Sequence, residues 1–88
     1  MRMQATLTLP TIHLNGTGRR MLSEGYGEAY RKLQDAIQAF YQIEFNARDY
    51  YVQPAGAWEQ ARAQRDAQLE HLRAVRDYLE AHLLHLGE

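Results

Sequence analysis

The sequence predicts a mainly α fold: an antiparallel helical hairpin with an N-terminal extended arm or short strand, completed by oligomerisation. Three observations carry that expectation. Apolar residues step by threes and fours through two long stretches, 19–45 and 57–86, as along one face of a helix. Pro54 and Gly56 fall between the stretches, where a helix cannot continue and the chain reverses. The chain of 88 residues has no cysteine, so neither a disulfide nor a thiolate metal site can supplement a small core. Two helices cannot cover each other's apolar faces on every side, and a second hairpin giving a four-helix bundle is the simplest completion.

The first 18 residues form the expected arm and a glycine turn. Residues 5–14, ATLTLPTIHL, alternate imperfectly and are rich in Thr, Ile and Leu, as an extended segment is. Pro10 lacks an amide hydrogen and confines any strand pairing to an edge. No second strand-like run follows, so the segment either lies along the helices or pairs with the same segment of another copy. His13 is expected to pack on it.

The first helix, 19–45, carries Leu22, Tyr26, Ala29, Tyr30, Leu33, Ile37, Phe40, Tyr41 and Glu44 on one stripe. Gly25 and Gly27 each cost a helix interior up to about 1 kcal/mol relative to alanine. They imply either that regular helix starts near Glu28 or that a backbone packs closely there. Thr17 is the candidate N-cap, and Asn46 the candidate left-handed cap that ends the helix.

A connection over 46–56 leads to the second helix, 57–86, whose seam runs through Trp58, Ala61, Arg65, Leu69, Leu72, Val75, Leu79, Leu83 and Leu86. Leu72, Leu79 and Leu86 repeat at seven, as in a coiled-coil seam, while Arg65 and Gln68 interrupt it near its start. Arg62 with Asp66, Arg73 with Asp77, and Arg76 with Glu80 stand at ion-pair spacing on the solvated face.

Composition narrows the function classes. A formal charge of -1 with 24% charged residues argues against general nucleic-acid binding while leaving room for a local basic pocket. Nine of the ten basic residues are arginine, the planar fork suited to phosphate and carboxylate, although arginine-rich codon usage produces the same bias. No apolar run approaches the roughly 18 residues that span a membrane, and the start MRMQATLTLPTIHL is too polar for a signal peptide, so a cytoplasmic protein is expected. No Ser/His/Asp set, catalytic carboxylate pair or activated nucleophile is discernible, which leads to the expectation of a non-enzyme without a cofactor. His82 and His85 stand at i and i+3, but no third ligand is in register, so no metal is expected; both complement the helix dipole.

Two stretches stand out as candidate binding sites. In Asn15, Gly16, Thr17 and Gly18, consecutive backbone amides can form a concave donor nest at a helix start, with Arg19 and Arg20 completing an anion clamp. The alternative is a flexible turn. The connection NARDYYVQPAG supplies Arg48, Asp49, Tyr50 and Tyr51, with Trp58, Arg62 and Arg65 just beyond. Rings plus guanidiniums suit a nucleobase with its phosphate, a protein hot spot, or simply the closed end of the core. Arg65, on the apolar seam, needs a partner: Glu44 or Asp49 across the hairpin end, or a ligand anion. Within one hairpin the two candidates lie at opposite ends, whereas an antiparallel dimer of hairpins brings them together.

The segments TIHLNGTG and NARDYYVQ, the latter before a Trp-led helix, resemble short phage- and prophage-encoded proteins. In size, helical build and arginine-aromatic equipment the chain is also similar to small phage anti-defence proteins. That likeness implies a non-enzymatic, host-cytoplasmic oligomer that sequesters a phosphate-bearing ligand such as a signalling nucleotide. The alternatives it implies are an interaction module that blocks a host defence complex, as anti-CRISPR proteins do, or a structural hairpin of a phage assembly.

Overall fold

In the computed structural model, which describes residues 7–87, two α-helices joined by a short 3-10 helix form the hairpin. Ala5 and Thr6 of the expected arm lie outside the described residues. Helix α1 spans Arg19–Tyr41, the 3-10 helix Ala47–Tyr50, and α2 Ala57–His85. No strand occurs among the described residues; residues 7–18 run irregularly, with the Pro10 carbonyl accepting a 2.7 Å hydrogen bond from His85 Nε2 near the end of α2.

Helix α1 starts directly at Arg19, and its glycines do not delay it. Its N-cap is Gly18, without a side-chain cap bond, so Thr17 does not play the expected role; the Gly18 carbonyl accepts from the Leu22 amide at 3.1 Å. Gly27 is buried, and a Cβ there would stand 3.3 Å from Arg31 Nη1 and 3.9 Å from Leu83 Cδ2. The tight neighbour at Gly27 is therefore the Arg31 guanidinium of α1 itself, with Leu83 of α2 at ordinary contact distance, whereas a Cβ on Gly25 would meet nothing within 4 Å.

The helix stops at Tyr41, short of the expected residue 45. The Gln42 amide donates to the Ala39 carbonyl at 3.0 Å and the Ile43 amide to that of Phe40 at 3.2 Å, and Phe45 leaves the helix to join a cluster with Tyr50 and Trp58. Asn46 is extended, at φ -131 and ψ 142, and caps the 3-10 helix instead of closing α1 in a left-handed turn. The left-handed position is Gly56, at φ 93, immediately before α2. A second one, Gly87 at φ 92, ends α2 with its amide on the Leu84 carbonyl, the usual glycine stop.

Among the described residues a single seam is buried. Ile37, Leu69 and Leu86 are the buried apolar side chains, joined by His82 at 1% exposure. Of the seven-residue leucine repeat, Leu86 is buried while Leu72 and Leu79 remain half-covered. The expected ion pairs along α2 do not form as spaced. Arg76 meets Asp77 at 3.8 Å, Arg73 donates to the Tyr41 hydroxyl across the hairpin, and Arg62 lies over the Trp58 ring. These partners compete successfully with i,i+4 pairing, which is worth only about 0.2–0.5 kcal/mol per pair on a helix surface. In α1 both orders pair, Arg20 with Glu24 and Glu28 with Lys32, each at 3.5 Å.

Candidate functional site

At the open end, the sequence TIHLNGTG folds as a tight turn in which the Gly16 amide donates to the His13 carbonyl at 3.1 Å. A Cβ on Gly16 would fall 2.7 Å from His13 Nε2, so the glycine makes room for the imidazole. Among the described residues only Gly56 and Gly87 have positive φ, so Asn15, Gly16, Thr17 and Gly18 do not adopt the alternating right- and left-handed backbone of a donor nest.

The two arginines after the turn serve different ends. Arg19 Nη1 donates to the Leu86 carbonyl at 2.8 Å, pinning the start of α1 to the last turn of α2. That contact uses one of five guanidinium donors. Arg20 is exposed and meets Glu24 at 3.5 Å. Both line a concave surface of about 640 Å³ that continues over Ser23, Gly27, Tyr30 and Arg31 to Leu83 of α2. Ser23 Oγ is buried and has no hydrogen-bond partner. Three guanidiniums, a phenol ring and an unmatched hydroxyl thus share one groove whose volume suits a small ligand.

The closed end is built differently. Phe45 packs on Trp58 at 4.8 Å and on Tyr50 at 6.0 Å, and Tyr50 meets Trp58 at 5.6 Å. The Arg62 guanidinium stands 5.9 Å from the Trp58 ring centroid. Arg65 lies over Phe45 at 4.8 Å, Phe40 at 5.6 Å and Tyr41 at 5.9 Å. Its expected carboxylate partners are otherwise placed: Glu44 accepts from the Asn46 side chain at 3.2 Å, and Asp49 is exposed. Ring faces satisfy the half-buried cation in their place. Tyr50 and Trp58 are therefore committed to packing, while Tyr51 and Val52 project at 76% and 97% exposure beside exposed Arg48.

His82 of α2 is a packing residue. The His82 ring stacks on Tyr26 and tilts against Tyr78, each at 4.4 Å, and its Nδ1 donates to the Tyr78 carbonyl at 2.9 Å. Burial pushes the Tyr26 phenol above its ordinary pKa, and the neighbouring Tyr78 adds to the shift. No cluster of three metal-ligating side chains occurs among the described residues.

One chain does not bring the two candidate sites together. They lie at opposite ends of α1, about 35 Å apart by the helical rise of its 23 residues. Sequence reasoning singled out Arg19 and Arg20 but not Arg31, Ser23 or Tyr30. Helical spacing was the available signal for Arg31, because steps of four, three and four from Arg20 pass Glu24 and Gly27 and reach it on the same stripe. The burial of Ser23 depends on where α2 lies, which no local pattern encodes.

Among the described residues, no helix is long and apolar enough to cross a membrane. No family model, curated protein or solved structure matches the chain.

Proposed function

We propose that the chain is a non-enzymatic binding protein, working as a homo-oligomer, whose groove along the first half of α1 captures a small phosphate-bearing ligand. The observation that carries this reading is the convergence of Arg19, Arg20 and Arg31 on one concavity of about 640 Å³. Guanidiniums hold phosphate oxygens two at a time, with charge-assisted bonds roughly twice as strong as neutral ones. Glu24 sets a condition on the ligand: it already engages Arg20, so an anion must displace it. A multiply charged phosphate or pyrophosphate competes better than a single carboxylate. Tyr30 is the ring within this groove, so it replaces Tyr50 and Trp58 as the stacking surface for a base; Tyr51 reaches such a groove only from another copy. The phage setting, and with it a signalling nucleotide as the ligand, comes from the resemblance of TIHLNGTG and NARDYYVQ.

The test is titration calorimetry with inorganic pyrophosphate and with mono- and dinucleotides. Arg20→Gln combined with Arg31→Gln removes two exposed guanidiniums without touching the Arg19 tether to Leu86. Affinity should fall at least tenfold while the circular dichroism is unchanged. Unchanged affinity in the double variant would overturn the assignment.

A second reading, a protein-interaction module that inhibits a host complex, is favoured by one observation: the apolar tip at Tyr51 and Val52 stands free of the fold. Aromatic residues anchor protein interfaces. On that reading Tyr51→Ala with Val52→Ala abolishes capture of a protein partner, and the arginine variants bind it normally.

A further inference from the structure

The hairpin has two unlike sides. One carries Arg20, Glu24, Arg31 and Gln38. On the other, α1 presents Leu22, Gly25, Ala29, Leu33, Ala36 and Phe40 at successive steps of three and four, an apolar stripe edged by Lys32, which pairs with Glu28 at 3.5 Å. Gly25, Ala29 and Ala36 are exposed, while Leu22, Leu33 and Phe40 are only half-covered by α2. Between Met21, Gly25 and Ala29 of α1 and Leu79 of α2 lies an apolar groove of about 310 Å³. Met21 remains 69% exposed, and on α2 Val75 and Tyr78 are 48% and 45% exposed.

Surface area indicates what covers this side. The accessible surface is 7178 Å², whereas a folded monomer of 10.2 kDa is expected to expose about 5,300 Å². Residues 7–18, most of them exposed, take part of that excess of about 1,900 Å². An obligate homodimer buries about 1,000–2,500 Å² from each partner, which matches the remainder as well as the whole. Shape agrees with area. A two-fold interface must be complementary to itself, and this side holds both a shallow depression, at Gly25 and Ala29, and protruding apolar groups, at Met21, Val75 and Tyr78.

We infer that the apolar side of α1, centred on Gly25 and Ala29 and continued by Leu79, is the seat of a second copy of this chain, giving a four-helix dimer of hairpins. The inference rests on the oligomeric part of the proposed function and is independent of its ligand. The arginine groove faces the other flank and stays open in the dimer.

Sedimentation of the full chain over a concentration series tests it, together with Ala29→Glu and Gly25→Arg. Both positions are exposed, and the region around Gly25 is open, so neither change obstructs the hairpin itself. The wild-type mass should be twice the chain mass, and each variant should weaken association at least a hundredfold. Should a variant fail to fold, cysteines answer instead, because the chain has none of its own. Ala29→Cys should resist maleimide labelling at high protein concentration and react on dilution, while Gln38→Cys should react throughout. A monomeric wild type would overturn both this inference and the oligomeric reading. Association unchanged in Ala29→Glu, or an Ala29→Cys thiol labelled as fast as Gln38→Cys, would overturn this surface alone and leave the oligomer standing.

Discussion

Tyr26, His82 and Tyr78 form a stack at the seam, and folding resists ionisation of the Tyr26 phenol. Its folded pKa is raised by burial first and by Tyr78 second, so the folded state favours the neutral ring. The sign follows directly: its contribution is fully present below the unfolded value of about 10 and is lost as pH rises toward the folded one. Urea midpoints at pH 8 and pH 10.5 should therefore differ more for the wild type than for Tyr26→Phe, which keeps the stacked ring but cannot ionise. Equal losses in the two proteins would contradict this. Arg65 permits an equally direct check. Because it rests on ring faces, Glu44→Gln and Asp49→Asn should each leave stability within about 0.5 kcal/mol of the wild type. A larger loss, read from denaturant midpoints, would restore a carboxylate partner. The sequence shows that a cation on the seam needs a partner, but not which one, since the answer depends on how Phe45 folds back.

At the scale of the elements, the two helices were legible because their apolar periodicity is long, and the chain reversal because Pro54 and Gly56 punctuate it. The end of α1 was not: Phe45 gives up a helical position to pack with Tyr50 and Trp58, a tertiary choice invisible to local propensity. The glycine turn failed as a nest for a related reason, because glycines permit positive φ without requiring it, and here Gly16 serves the His13 ring. The candidate groove was half-legible, through the arginines that open α1. The rest of its lining, Gly27 with Leu83 of α2, depends on where the second helix lies. Two glycines give predictions of opposite sign. At concentrations below association, where Gly25 faces open space within a helix, Gly25→Ala should stabilise the hairpin by up to about 1 kcal/mol. Gly56→Ala, at φ 93, should destabilise by about 1 kcal/mol or more. Thermal melts of the two variants beside the wild type read both effects, and the same direction of shift in both would contradict the backbone assignment.

The hairpin is a slab of 62 × 29 × 17 Å, little more than one helix thick, with three buried apolar side chains among the described residues. So thin a body exposes two broad sides, and the proposed reading assigns them different work: an apolar side for a second copy and an arginine-lined side for an anion. On α1 the two sides stand about half a turn apart. Native mass spectrometry, with and without a pool of pyrophosphate, linear nucleotides and cyclic nucleotides, tests the binding function most directly because it weighs subunits and ligand together. The expected result is a discrete oligomer that gains nucleotide or pyrophosphate mass in a fixed ratio to chains, with the gain lost in the Arg20→Gln, Arg31→Gln variant. A species that stays bare across the whole pool would contradict ligand capture and leave the Tyr51 and Val52 tip as the functional surface.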